Sequence, residues 1–269
     1  MKYAINGATT MPYSLEEDIV YAAGAGFEGV EIWWDKLKTY LESHRVPMLK
    51  KLLHENNIEA AAICPFLVSP FRNTGELRKE FLRAAEIAPQ LDCGLIVICP
   101  DFQPVTFSVD QALKEHQKEL EWYSRKAADW GVKLAIEPIG GHTLVPGPGE
   151  ALELVKCIGN PANLGVVMDT FHYMKSNISI EAIEKIPPER LFIVHVNDSE
   201  DGMINELQDK NRVYPTLGKI NLKGDLEALK KIGYQGYLSV EIFREEYWKD
   251  SVEDINARAF GSLMKMLQL

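Results

Sequence analysis

The sequence is poor in cysteine. It has 4 in 269 residues, and none of them forms a Cys-x-x-Cys pair. Neither a zinc knuckle nor a disulfide framework is therefore indicated. Most of these cysteines stand within apolar runs, where we expect small buried hydrophobic residues in a reducing compartment. They are Cys64, Cys93, Cys99 and Cys157.

Long apolar runs are also absent. No stretch approaches the roughly 18 to 20 residues that a membrane-spanning helix requires. The first residues, Met1-Lys-Tyr-Ala-Ile-Asn6, lack the apolar region of a signal peptide. We therefore expect a soluble cytoplasmic protein without a membrane partner.

Clusters of positive charge are missing as well. The formal net charge is -10 at pH 7, and Lys and Arg are interspersed with Asp and Glu. Such a chain repels a phosphodiester backbone overall, so a nucleic acid is not an expected partner. The sequence leaves open whether the chain forms a homo-oligomer.

Instead, the sequence shows a regular alternation of short apolar runs and longer amphipathic segments. With 46% hydrophobic residues, the chain can bury one large core or two small ones. The apolar runs predict eight strands at residues 3–6, 29–33, 59–64, 95–99, 133–137, 164–169, 191–195 and 237–241. The amphipathic segments predict helices at residues 15–25, 37–56, 76–91, 109–130, 151–158, 180–186, 222–232 and 252–267.

The alternation predicts a (β/α)8 TIM barrel. Strands and helices that alternate with short connections imply parallel strands and right-handed crossovers. Eight such units in about 250 residues match the size of this fold. An open doubly wound sheet is the alternative, but no Gly-rich phosphate fingerprint follows the first strand. No linker or low-complexity tract interrupts the chain, so we expect a single domain over residues 1–269.

Polar residues recur where the predicted strands end. In a barrel these ends all meet at one face, which is where active sites of this fold lie. The segments at the strand ends are Glu31-Ile-Trp-Trp34, Cys64-Pro-Phe66, Cys99-Pro-Asp101, Glu137-Pro138, Asp169, His195-Val-Asn-Asp198 and Glu241-Ile-Phe-Arg244.

Strands five to eight end in Glu137, Asp169, His195 and Glu241. Three carboxylates facing one another in a barrel mouth would repel strongly unless a cation neutralised them. We therefore predict that these four residues bind one divalent metal ion. Oxygen donors with one imidazole suit Mn²⁺, Mg²⁺, Co²⁺ or Zn²⁺ without strong selection among them. The alternative is that each acid caps a helix or pairs with a basic residue of the rim.

Two further residues are candidate substrate contacts. His172 lies beyond the sixth strand, where it could bind a substrate oxygen, orient a ligand or be a purely structural loop histidine. Arg212 lies in the long segment after strand seven, and long loops are often functional. It could hold a hydroxyl, a carboxylate or an enediolate oxygen. The alternative to a substrate-binding role for Arg212 is a structural salt bridge to Asp209 or Glu206.

Four aromatic residues follow strands two and three, namely Trp33, Trp34, Phe66 and Phe71. Aromatic faces beside polar groups suit the C–H surfaces and hydroxyls of a sugar or cyclitol. Core packing is the alternative for each of them.

The strand ends resemble the xylose-isomerase-like TIM barrels of sugar isomerases and epimerases. The segments that carry the resemblance are LAIEP at 134–138, VVMDTFH at 166–172, FIVHVND at 192–198 and LSVEIF at 238–243. In that family the corresponding Glu, Asp, His and Glu bind one divalent metal, and the two Glu residues also handle protons. The resemblance therefore implies that Glu137 and Glu241 are catalytic.

Within this family the chain is most similar to the inosose isomerases of inositol catabolism, which act on 2-keto-myo-inositol. The similarity is carried by Asn6-Gly-Ala-Thr-Thr10, by Asn211-Arg-Val-Tyr-Pro215 through Gly218, and by Ser239-Val-Glu-Ile-Phe-Arg244. It departs around residues 33–40 and 100–104, where loops that contact substrate would lie.

The resemblance implies a metal-dependent isomerase or epimerase. Its substrate would be an α-hydroxy ketone of a cyclitol or sugar, converted through a metal-bound cis-enediolate with His172 and Arg212 stabilising negative charge. A ketose 3-epimerase, a hydroxypyruvate isomerase and an inosose dehydratase need the same four residues and remain alternatives. A nuclease like the apurinic endonucleases is disfavoured by the 6 His residues and the negative charge. A non-catalytic sugar-binding barrel is the last alternative.

Overall fold

Parallel strands close into a barrel in the computed structural model, which describes residues 1–269. The barrel strands are β1 (Lys2–Asn6), β2 (Gly29–Trp33), β3 (Glu59–Val68), β4 (Leu95–Pro100), β5 (Lys133–Ile136), β6 (Leu164–Asp169), β7 (Leu191–Val196) and β10 (Tyr237–Val240). Their order around the barrel is β1-β10-β7-β6-β5-β4-β3-β2. The predicted (β/α)8 barrel is therefore confirmed.

Ten α-helices accompany the barrel strands. Several begin at side-chain caps, as in α1, where Ser14 and Glu17 form a capping box. None of the helices has the length and apolar character of a membrane-spanning segment. The helices are α1 (Leu15–Ala25), α2 (Trp34–Tyr40), α3 (Val46–Glu55), α4 (Thr74–Ile87), α5 (Val109–Ala128), α6 (Pro148–Cys157), α7 (Thr170–Lys175), α8 (Ile180–Ile183), α9 (Leu222–Lys231) and α10 (Val252–Met266).

The strands are continuous apolar runs because both of their faces are buried, one against the helices and the other inside the barrel. All six residues of β6 are buried. The barrel interior is filled by small or branched side chains, and the site residues form a polar layer at its carboxyl end. The interior apolar residues are Ala62, Cys64, Leu95, Val97, Ala135, Val167 and Ile193.

Several predicted boundaries were wrong. The helix expected at 37–56 is two helices, α2 and α3, and Pro47 lies in the first turn of α3, where its missing N–H is tolerated. Strand β3 runs on to Val68, with a register shift between Ile63 and Phe66. Among the cysteines, Cys157 is exposed at the end of α6 and Cys99 is half-buried, so neither is the fully buried residue expected.

Two elements of the mouth were not predicted. Helix α7 begins directly after β6, with Asp169 as its N-cap. In the long segment after β7, two short strands, β8 (Asp198–Ser199) and β9 (Arg212–Val213), pair antiparallel. Both elements are too short to leave a periodic pattern in the sequence.

Gly165 in β6 provides a test of how tightly the barrel is packed. A Cβ at this position would overlap the carbonyl oxygen of Arg190 and lie 2.7 Å from the ring of Phe192. We expect Gly165→Ala to lower the free energy of unfolding by about 1–3 kcal/mol, because main chain cannot move aside easily. Urea titration followed by circular dichroism measures this change.

Gly24→Ala is the matched control, because no atom lies within 4 Å of a Cβ built at this position of α1. This variant should gain up to about 1 kcal/mol, the usual benefit of alanine in a helix. Equal stabilities for the two variants would contradict the packing at β6.

Candidate active site

Four polar side chains meet at the carboxyl end of the barrel. Asp169 is the last residue of β6 and His195 lies in β7, while Glu137 and Glu241 directly follow β5 and β10. All four are buried, and each contributes one ligand atom to a group whose members lie within 4.8 Å of one another. The structure thus brings together the four residues that the strand ends suggested.

His195 is surrounded by carboxylates. Its Nδ1 atom lies 3.0 Å from Glu137 Oε1, 3.3 Å from Glu241 Oε2 and 3.9 Å from Asp169 Oδ2. Burial by itself would lower the pKa of this imidazole, but the charges of Glu241, Glu31 and Glu137 raise it well above its usual value. The protonated ring therefore acts as a cation among the acids.

The carboxylates differ from one another in proton affinity. Burial, reinforced by the charge of Glu137, raises the pKa of Glu241 to about 7 despite His195 and Arg212. Burial opposes ionisation of Glu137 too, yet His195 outweighs it and lowers the pKa of Glu137. The pKa of Asp169 also falls against the effect of burial, because the charges of Arg212 and His195 and the main-chain N–H of His172 favour the anion. Environments that separate the pKa values of neighbouring acids are typical of proton-transfer sites.

Arg212 reaches this cluster from β9. Its Nη1 donates to Asp169 Oδ2 at 2.7 Å and to Glu241 Oε2 at 3.0 Å, and its Nε donates to Asp209 at 3.0 Å. The side chain is only 1% exposed. Of the two rim partners considered for Arg212 in the sequence, Asp209 is present and Glu206 is not among its ion pairs. The guanidinium is therefore part of the charged cluster as well as of the rim.

His172 lies on α7 and is not a loop residue. Its main-chain N–H donates to Asp169 Oδ1 at 2.8 Å, and its Nε2 lies 3.1 Å from Arg212 Nη2. Its Nδ1 is buried and has no partner. Burial, more than the opposing charge of Asp169, lowers the pKa of this ring. His172 thus borders the cluster as a neutral imidazole with one free nitrogen.

Sequence reasoning missed two contributors to the cluster. Glu31 was seen as a strand-end residue but given no role, and both of its carboxylate oxygens lie 3.1 Å from His195 Nε2. Asn197 donates from Nδ2 to Asp169 Oδ2 at 3.0 Å. A carboxylate within the apolar run of β2 was the available signal for Glu31. Asn197 had no comparable signal, because it follows β7 among other polar residues.

Three of the four aromatic residues considered as sugar contacts lie elsewhere. Trp34 and Phe66 are buried and pack on each other with ring centroids 5.2 Å apart, so they belong to the core outside the barrel. Phe71 packs on Phe107 in the loops. Trp33, in contrast, packs against the interior of the barrel.

The ring of Trp33 lies edge-on to that of Phe243, with centroids 5.8 Å apart. Phe243 in turn lies 5.4 Å from the guanidinium of Arg212. One edge of the site is therefore apolar.

The donor set fits a divalent ion. Three carboxylates and one imidazole carry enough negative charge to balance a dication, and they mix the oxygen and nitrogen ligands that Zn²⁺ and Mn²⁺ accept. The cluster already requires two cationic side chains, His195 and Arg212, to balance its acids. The residues present could therefore hold one metal ion through Glu137, Asp169, His195 and Glu241.

A closed parallel barrel with a carboxylate–imidazole cluster at its carboxyl end defines a class of metal-site TIM barrels. The sequence pattern of the xylose isomerase-like TIM barrel family matches residues 19–260, and the chain belongs to this family.

Three known proteins illustrate the similarity. The inosose isomerase of Halalkalibacterium halodurans is 34% identical over 94% of this chain and 92% of its own length. That of Bacillus subtilis is 32% identical over 94% of this chain and 93% of its own. The crystal structure of the IolI protein with a bound zinc atom has a TM-score of 0.93 and 30% identity, covering 100% of this chain and 98% of its own.

Arg212 provides a test of the charge balance in the cluster. With chelator present, we expect Arg212→Met at pH 8 to lower the free energy of unfolding by about 3–5 kcal/mol, because two buried carboxylates lose their cation. The deficit should shrink as the pH falls towards 4. Without the guanidinium the pKa values of the folded carboxylates lie above the unfolded value of about 4, so protonation favours the folded variant.

Urea titration at several pH values measures this deficit. Arg258→Met is the control, because Arg258 pairs with Asp250 while 50% exposed, and a change below about 1 kcal/mol is expected. A pH-independent deficit for Arg212→Met would show that lost packing, and not charge, is responsible.

Proposed function

We propose that this chain is an inosose isomerase, which moves the carbonyl group of 2-keto-myo-inositol to the neighbouring ring carbon. The observation that carries the proposal is the convergence of Glu137, Asp169, His195 and Glu241 within 4.8 Å at the barrel mouth. The 34% identity to an inosose isomerase over 94% of the chain supports the substrate class.

In this proposal the four residues hold one divalent metal ion. The zinc in the similar IolI structure supports Zn²⁺, and the donor set is equally suited to Mn²⁺, Mg²⁺ or Co²⁺. When bound, the ion would supply Lewis acidity to the ketone and the adjacent hydroxyl, which makes the C–H bond between them more acidic.

Glu137 and Glu241 are the proposed proton-transfer residues. One carboxylate removes the proton from the hydroxyl-bearing carbon, and the electrons of that C–H bond form the C=C bond of an enediolate. The proton returns to the former carbonyl carbon, and the hydroxyl proton passes to the former carbonyl oxygen, which leaves the new ketone on the neighbouring carbon. The pKa of about 7 for Glu241 suits a group that gains and loses a proton near neutral pH.

His172 and Arg212 are the proposed substrate contacts. The unpartnered Nδ1 of His172 offers a buried polar atom to a substrate hydroxyl. The positive charge of Arg212 stabilises the negative charge that develops on the enediolate oxygens. Trp33 and Phe243 would lie against C–H surfaces of the ring.

Proton NMR in D₂O tests the reaction itself. We expect the zinc-loaded protein to exchange one C–H of 2-keto-myo-inositol for deuterium and to yield an isomeric inosose. We expect Glu241→Gln to lower this rate by about 10²–10⁴-fold, because an amide cannot shuttle the proton. Glu206 is exposed in the segment after β7, and Glu206→Gln is the control that should retain activity.

The alternatives give different spectra. Loss of water from the inosose would identify a dehydratase, and exchange of free ketoses in preference to inososes would identify a ketose epimerase. Binding without any exchange would identify a sugar-binding barrel. Full activity in Glu241→Gln would remove this residue from the proton transfer.

Metal removal tests the proposed cofactor. Dialysis against a chelator should abolish exchange, and adding Zn²⁺, Mn²⁺, Co²⁺ or Mg²⁺ separately should show which ion restores it. We also expect bound Zn²⁺ to raise the melting temperature, since a ligand that binds only the folded state stabilises it. Activity that survives complete metal removal would contradict the proposal.

A further inference from the structure

Glu31 is a buried acid that the proposed reaction does not use. It is the third residue of β2, and its side chain, like that of His195, is 0% exposed. Both of its carboxylate oxygens lie 3.1 Å from His195 Nε2, and Oε1 makes no hydrogen bond. Burying a carboxylate is unfavourable, so the cost of keeping Glu31 close to other acids must be offset by a specific interaction.

The position of Glu31 is maintained from the neighbouring strand. Asn6 lies beside Glu31 in the register of β1 and β2, and its Nδ2 donates to Glu31 Oε2 at 2.7 Å. The Asn6 Oδ1 atom accepts the main-chain N–H of Ala8 at 2.9 Å, which fixes the amide orientation. A chain of hydrogen bonds thus runs from the β1 loop through Asn6 and Glu31 to His195.

The two nitrogens of His195 face different partners. Nδ1 lies among Glu137, Asp169 and Glu241, while Nε2 points to Glu31. Glu31 is therefore outside the group of four donors and across the imidazole ring from it. The acceptor at Nε2 keeps a hydrogen on that nitrogen, so a metal ion bound by the other three donors would replace the hydrogen on Nδ1.

We propose that Glu31 is a positioning residue, which binds the Nε2–H of His195 and thereby presents Nδ1 as the metal-binding nitrogen. The proposal rests on the metal centre described under the proposed function. It gives the Asn6-Gly-Ala-Thr segment a role, because Asn6 orients Glu31.

Zinc affinity, measured by competition with a chromophoric chelator, tests the proposal. Glu31→Leu removes the acceptor and the charge, whereas Glu31→Gln removes the charge and keeps an acceptor oxygen. We expect Glu31→Leu to weaken Zn²⁺ binding by about 10–100-fold, the usual effect of losing such a partner, and Glu31→Gln to weaken it less. Equal losses in the two variants would show that charge alone matters and would overturn the positioning role.

Glu119→Gln is the matched control. Glu119 is another buried carboxylate, but it binds Arg78 on the outside of the barrel. Its variant should bind Zn²⁺ as the wild type does. If the wild type binds no Zn²⁺, the metal centre itself is refuted. If the wild type binds and both Glu31 variants match it, only the role of Glu31 is refuted.

NMR of the wild-type protein provides a test that needs no variant. In protein labelled with ¹⁵N-histidine and loaded with ¹¹³Cd²⁺, we expect a ¹¹³Cd–¹⁵N coupling to His195 Nδ1 and a directly bonded hydrogen on Nε2. Coupling to Nε2, with the hydrogen on Nδ1, would overturn the proposal even if the Glu31 variants fail to fold.

Discussion

Repulsion among buried carboxylates at the barrel mouth is the constraint on which the rest of the site depends. Glu31, Glu137, Asp169 and Glu241 surround His195, and every one of them is at most 5% exposed. Buried carboxylates this close together can remain ionised only if cations and hydrogen-bond donors compensate their charge. The barrel strand β7 supplies His195, the short strand β9 outside the barrel supplies Arg212, and the donor set suits a further divalent charge.

The segment after β7 is built to meet this constraint. Arg212 pairs with Ser199 in the register of β8 and β9, and the neighbouring Asp198 accepts the main-chain N–H groups of Gly218 and Ile220 at 2.8 Å. These bonds hold the long segment after β7 against the mouth, so that the guanidinium of Arg212 is already oriented towards the acids. A long loop pinned in this way loses little further entropy when it positions a charge.

The sequence predicted the barrel and the four donors for a shared physical reason. Continuous apolar runs indicate strands buried on both faces, and the alternation with helices leaves parallel order as the natural outcome. Once the strands are parallel, Glu137, Asp169, His195 and Glu241 must reach the same face. Helix α7, the split between α2 and α3, and the β8–β9 pair were missed, because short elements are decided by caps and tertiary contacts and not by periodicity.

The sequence by itself therefore determined the strand order and the chemical character of the mouth, since both follow from local pattern and from the geometry of parallel strands. Tertiary structure decided that Nδ1 of His195 faces Glu137, Asp169 and Glu241 while Nε2 faces Glu31. It also decided that Arg212 is buried between Asp169 and Glu241. Several of these relations join residues separated by 29 to 164 positions in the chain. Side-chain directions across a closed barrel depend on strand tilt and register, which no local pattern encodes.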